Sequence, residues 1–226
     1  MTQKLILAIF SIALLLFTAC EKDDPEKATL QLEFETVTIG SNLKSTAASS
    51  IEFTSGHIIL EEVEFETETA TDSIAVDFEI ESYITIDIIT RETTPDLSAV
   101  EIVPGKYEEI EIELELWDET DEPSIDMDGV WIDEEGTEHP IKLLLPLGQS
   151  FSLEMEGDFT IEENTSMIAQ ITFDPVEWFA GEASELLPSA TKDDEGVIVI
   201  SPNQNADIYD KLEDAIDRTS EVEIEM

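Results

Sequence analysis

The chain has 226 residues, 55 acidic and 10 basic side chains, and a net charge of −45. That charge repels nucleic acid and disfavours a face resting on anionic headgroups. A 42% hydrophobic content, interleaved with the acids, excludes a disordered acidic tail, and the length suits one sizeable core or one large and one small domain.

The N-terminus reads as an address. Lys4 is followed by an apolar run from Leu5 to Phe17, broken only by Ser11. This is the charged and apolar pattern of a secretory signal. The run of about 13 residues is short of the ~20 that span a bilayer. Phe17-Thr18-Ala19-Cys20 then resembles a bacterial lipobox. Residues 1–19 are expected to be removed, and Cys20 to carry the lipid that holds the protein on a membrane. Several acyl chains anchor stably, because each buried methylene adds roughly 0.8 kcal/mol. Cys20 is the only cysteine, so no disulfide forms within the chain. Residues 20–29 form an acidic tether. In it, Lys22-Asp23-Asp24 resembles the surface-export signal of Bacteroidota lipoproteins. The expected location is the outer membrane, at the cell surface, with the periplasmic face as the alternative.

From Leu30 onward, period-2 alternation dominates. Leu30, Leu32 and Phe34 alternate with polar residues, and Ser41 to Ser50 reads as a loop. Ile58 and Leu60 share a parity that Val63 and Phe65 do not, which predicts a β-bulge near Glu61-Glu62. Ile74, Val76, Phe78 and Ile80 alternate, and Ile84, Ile86 and Ile88 continue the parity. Ile110, Ile112, Leu114 and Leu116 alternate with Glu109, Glu111, Glu113 and Glu115, so one face is dry and the other wet. This glutamate column suits a solvated outer face that discourages edge aggregation, or a surface for cations or a basic partner. Asp133-Glu134-Glu135-Gly136 reads as the turn of a hairpin. Glu156-Gly157-Asp158 reads as a second turn, between Phe151–Met155 and Phe159–Ile161. Met167 to Phe173 is a further strand. Residues 182–195 read as a polar linker with Pro188. Val197–Ser201 is a short strand, and a helix capped by Asn205 or Asp207 places Ile208, Leu212 and Ile216 on one face. Val222 and Ile224 form a last strand.

The strands carry a resemblance. Ile86-Asp87-Ile88-Ile89, Val103-Pro104-Gly105-Lys106-Tyr107 leading into Ile110-Glu111-Ile112, Gly136 with Pro140-Ile141, and Ile171-Thr172-Phe173-Asp174 are punctuation. On them, the segment from about Ser55 to Trp178 resembles a domain of unknown function found in Bacteroidota-type lipoproteins. The resemblance implies a transthyretin- or immunoglobulin-like sandwich and an extracytoplasmic location. It implies no activity and no functional residues.

Chemistry is sparsely signalled. His57 and His139 are the only histidines, neither with a second imidazole near in sequence for zinc. No nucleophile elbow and no phosphate-cradling glycine loop occur. Paired carboxylates are abundant enough to arise by chance, so a carboxylate-dependent hydrolase is the weakest reading. Calcium is the one cofactor suggested: Ser124-Ile125-Asp126-Met127-Asp128-Gly129 with Glu135 partly follows an EF-hand spacing, and a looser site on the acidic loops 118–128 or 133–138 has Asp126, Asp128 and Glu135 as its candidate ligands. Trp117, Trp131 and Trp178 are candidates for stacking on sugars where exposed.

The expected fold is all-β: an antiparallel β-sandwich over residues 30–181, with residues 182–226 a linker and a small strand–helix–strand appendage. The expected function is a non-enzymatic binding module for a glycan or an envelope protein. The alternative is a structural or assembly component of a cell-envelope or fimbria-like complex.

Overall fold

The structure is a computed structural model that describes residues 27–41, 50–68, 78–97, 99–117, 120, 122–146, 150–219 and 221–225. The expected signal (1–19), the lipidated Cys20, the export signal Lys22-Asp23-Asp24, most of the tether and the stretch around Ile74 and Val76 lie outside the described residues. The described residues are mostly in strands, with fewer in helices, and the sheets are open and not a closed barrel.

Among the described residues, thirteen strands build two sheets. The first contains β1 (Ala28–Thr36), β6 (Val100–Ile102), β11 (Ser166–Phe173) and β13 (Glu221–Glu225), in the order β13-β11-β1-β6. The second runs β10-β7-β3-β8-β9-β12. Its members are β3 (Ser50–Glu68), β7 (Gly105–Leu116), β8 (Ile125–Ile132), β9 (Glu138–Leu145), β10 (Ser150–Ile161) and β12 (Ile198–Ile200). Short β2 (Ile39–Ser41) and longer β4 (Phe78–Asp87) also pair with β3, and β5 (Thr93–Thr94) pairs with β4. Inward residues of both sheets, among them Leu30, Phe34, Phe65, Ile112, Leu143 and Ile171, belong to one buried cluster. The arrangement is consistent with a β-sandwich.

The sheets are mixed, which corrects the expectation of antiparallel pairing throughout. β1 runs parallel to β11, and β12 runs parallel to β9. Alternation reports which face is buried, and it is the same for either strand direction. Phe34 and Phe173 stack across the β1–β11 pair at 6.3 Å, where register makes Phe34 the neighbour of Ile171.

The 19-residue β3 is the spine of the second sheet. Along one edge it pairs first with β8, over Ser50–Ile58, and then with β7, over Leu60–Glu68. The change of partner falls at Ile59, whose N–H donates to the Ser124 carbonyl at 2.7 Å and whose carbonyl accepts from Trp117 N at 3.1 Å. The bulge expected near Glu61-Glu62 is present between Leu60 and Glu62. An extra residue there flips the parity, so Val63 and Phe65 continue the buried face begun by Ile58 and Leu60. A second irregularity lies between Phe53 and Ser55, next to Gly56 at φ +147°, where a Cβ would sit 2.4 Å from the Asp126 carbonyl oxygen. Only glycine fits that approach.

Residues 150–161 are one strand and not a hairpin. β10 pairs with β7 throughout, and Glu156-Gly157-Asp158 holds a bulge between the pairs Glu156–Glu109 and Phe159–Tyr107. A glycine between acids fits a bulge as well as a turn.

The boundary expected at 181/182 is not a break in packing. β12 extends the second sheet beside β9, and β13 extends the first beside β11. After a 3-10 turn at Glu177–Phe179, the expected linker folds into α1 (Glu182–Leu186) and a second 3-10 turn at Leu187–Ser189, and buries Ala183 and Leu187. α2 (Ala206–Thr219) buries Ile208, Leu212 and Ile216 in the common core. Asn205 does not cap it through its side chain. Its Oδ1 accepts from the Thr191 amide and hydroxyl, and its Nδ2 donates to the Thr191 and Val199 carbonyls, at 2.7–3.0 Å.

Candidate functional site

The glutamate column on β7 is one part of a larger array. Register places β10, β7, β3 and β4 side by side in four rows. The first is Ser150, Glu115, Glu62 and Glu81, and the second is Ser152, Glu113, Glu64 and Glu79. The third is Glu154, Glu111 and Glu66, and the fourth is Glu156, Glu109 and Glu68. No lysine or arginine stands at any of these positions. Neighbouring strands lie about 4.8 Å apart and same-face residues of one strand about 6.6 Å, so the carboxylates of Glu62, Glu64, Glu66, Glu79, Glu111, Glu113 and Glu115 crowd in both directions. The reverse face explains why the strands hold: Val63, Phe65, Ile112 and Leu114 are all fully buried.

Crowding shifts protonation. The Glu62 carboxyl is pushed above the ordinary glutamate value, first by desolvation and then by Glu79, Glu115 and Glu64. Glu64 is pushed the same way, first by desolvation and then by Glu66, Glu113 and Glu79. At one end of the array Tyr83 stands edge-on to Trp117, ring centroids 4.9 Å apart. Tyr83 is 44% exposed, and Trp117 Nε1 donates to Thr120 Oγ1 at 3.2 Å. Carboxylates accept hydrogen bonds and attract cations, and an exposed ring stacks on flat apolar faces. A partner for this surface has to supply donors or positive charge.

A second cluster lies where the β8–β9 hairpin meets the chain before β12. Asp133 Oδ1 accepts from the Glu135 and Thr137 amides at 3.0 and 2.8 Å, which closes the turn. Its Oδ2 lies 2.8 Å from His139 Nε2, and Lys192 Nζ lies 2.8 Å from His139 Nδ1. A lysine can only donate, so Nδ1 is the acceptor toward Lys192 and Nε2 faces the Asp133 carboxylate as a donor. The hydrogen bond from His139, with those of Thr137 and Glu135, holds the Asp133 carboxyl below its ordinary value. His139 also stacks on Trp131 at 4.8 Å. These side chains, with Leu187 and Ile198, line a cavity of about 450 Å³.

The residues suggested for calcium are not brought together. Asp126 and Asp128 share one face of β8, and Lys142 of β9 bridges them at 2.8 and 3.3 Å. Glu135 lies in the turn beyond the far end of β8, about 20 Å of strand from Asp126. Among the described residues no group of three or more potential ligands converges to hold a metal ion. Of the tryptophans, Trp178 and Trp131 are buried, and Trp117 is half-buried. The His139 cluster gave no signal in the sequence, since Lys192 stands 53 residues away. The four-strand array was legible only as its β7 column.

The two aspartates of the resemblance motifs are turn caps. Asp87 Oδ1 accepts from the Ile89 and Thr90 amides, and Asp174 Oδ1 from those of Val176 and Glu177. Such Asx turns are fold punctuation and carry no chemistry of their own. No family model, no curated protein and no solved structure matches this chain.

Proposed function

We propose that the protein is a non-enzymatic binding module, anchored at Cys20 to the outer membrane and facing outward, that engages a glycan or an envelope protein through the acidic face of β10-β7-β3-β4. The fold belongs, in this reading, with the transthyretin- and immunoglobulin-like sandwiches of Bacteroidota-type lipoproteins. The observation that carries the reading is the row structure: three glutamates in register in each row, with no lysine or arginine at these positions, over the buried Val63, Phe65, Ile112 and Leu114. Like charges opposite one another destabilise a sheet. A partner that supplies donors or cations relieves that repulsion, and the half-exposed Tyr83 beside Trp117 adds a stacking edge.

The test is binding of the full chain to a panel of neutral and amino-bearing oligosaccharides and to polylysine. The wild type is compared with Tyr83→Ala and with Glu64→Gln/Glu66→Gln/Glu111→Gln/Glu113→Gln. Binding by the wild type that the quadruple variant loses supports the reading. A wild type that binds none of the panel, or variants that bind as well as it does, sinks it. Cys20→Ala is expected to abolish lipid labelling and release the protein from the membrane fraction. Digestion by protease on intact cells is expected for surface display, and resistance places the protein on the periplasmic face.

The second reading, an assembly component, is favoured by incompletely paired strand edges in the first sheet.

A further inference from the structure

The edge of β1 is only half covered. Thr29 N–H donates to the Thr165 carbonyl and Val37 N–H to the Phe173 carbonyl, both at 2.9 Å. With the parallel register, these bonds direct the backbone groups of Gln31, Glu33 and Glu35 toward β11. The groups of Ala28, Leu30, Leu32 and Phe34 therefore point to the opposite edge. There β6 pairs with Ala28, Thr29 and Leu30 and stops, since Ala99 is outside any strand. Among the described residues nothing pairs with the N–H and C=O of Leu32 and Phe34 on that side. Leu32 and Phe34 line a cavity of about 500 Å³, which Arg91 to Thr94, Asp96 and Leu97 line from across it. Gln31 to Glu35 spans about 13 Å, which is room for four or five extended residues.

We infer that this groove accepts an extended peptide strand from a partner protein, one that alternates basic and apolar residues. Strand addition meets unpaired edge groups and takes its specificity from alternate side chains. A strand beside β1 would place every second side chain on the outer face with Gln31, Glu33 and Glu35. Glu92 and Asp96 stand on the opposite wall, and among the described residues that line it the one cation, Arg91, is held by Glu35 at 2.7 Å. Basic side chains suit that rim. The intervening side chains would turn inward toward half-buried Leu97. A second copy of this chain is a poor occupant, because 55 acids against 10 bases set like charge on like. The groove is in the first sheet and the glutamate array in the second, so either can fail without the other.

Hydrogen–deuterium exchange on the full chain in detergent tests it, with an alternating lysine–valine hexapeptide as the probe. In the free protein, the Leu32 and Phe34 amides are expected to exchange faster than those of Gln31 and Glu33. Saturating peptide is expected to slow Leu32 and Phe34 by roughly tenfold or more and to leave Gln31 and Glu33 unchanged. A lysine–proline hexapeptide, which lacks alternate donors, is expected to give no protection. The variant Glu33→Lys/Glu92→Lys, with both sites exposed, is expected to keep its melting temperature and lose about tenfold in affinity. Binding without protection at Leu32 and Phe34, or equal binding of the proline peptide, would mean simple charge adsorption and overturn the inference. So would protection already present in the free monomer, or protection that rises with protein concentration in the absence of peptide.

Discussion

Two halves of the second sheet treat acidic side chains in opposite ways. Beyond the β3–β8 pair, carboxylates are partnered: Asp126 and Asp128 by Lys142, and Asp133 by His139. In the β10-β7-β3-β4 half, Glu62 and Glu64 have other glutamates as their neighbours. Both halves are made from strands of the same alternating pattern and share β3. The difference teaches that charge density alone does not say whether an acid is structural. Acids answered by a cation or a turn amide hold the hairpin, and Glu62 and Glu64, crowded by neighbouring glutamates, stay on the sheet because its other face is buried.

The largest test of that contrast removes the burial. Phe65→Ala is expected to cost about 3–5 kcal/mol in urea unfolding, because a fully buried ring on β3 is lost and leaves a cavity. If the cost were below about 1 kcal/mol, apolar burial would not be what holds the acidic rows together. Next, Lys142→Met is expected to destabilise by up to about 1 kcal/mol, since the ion pairs are partly solvated and Asp126 and Asp128 are left facing each other. The opposite sign is expected in the acidic half: Glu64→Gln raises the melting temperature and weakens its dependence on salt. A lower melting temperature for that variant would show that Glu64 is held by a favourable contact.

The smallest effect is on pH. Glu62 and Glu64 have folded-state values raised above the ordinary one, so the folded state binds their protons more tightly than the unfolded state does. Their contribution is fully present below the ordinary glutamate value and is lost as pH rises through the raised values. Asp87 and Asp133 are lowered, so their contribution is present above the ordinary aspartate value and is lost only as pH falls through the lowered ones. Acidification from neutrality toward the glutamate range should therefore raise the melting temperature, and further acidification should lower it. A melting temperature that falls steadily from neutrality downward would contradict the assignment. In Glu62→Gln/Glu64→Gln the initial rise should shrink.

Legibility in the sequence followed the range of the interaction. The bulge after Leu60 was readable because one chain shows both parities, and the Asp133–Gly136 turn was readable because its residues are adjacent. β10 was misread because Gly157 between acids fits a turn and a bulge alike, and only the β7 register separates them. Asn205 was expected near a helix start, and that is where it is. Its side chain serves Thr191 and Val199, partners that local spacing does not reveal.

By itself the sequence determined the dry and wet faces of each strand, the local turns and the acidity of the β7 face, because these follow from neighbours two to four residues apart. Only the tertiary structure decided which strands lie side by side. That choice set Glu62, Glu64 and Glu79 beside the β7 glutamates, put Lys142 between two aspartates, ran β11 parallel to β1, and left Leu32 and Phe34 facing a groove. Alternation fixes the side of a sheet on which a residue sits, and the neighbour across the strand is set by packing of the whole core.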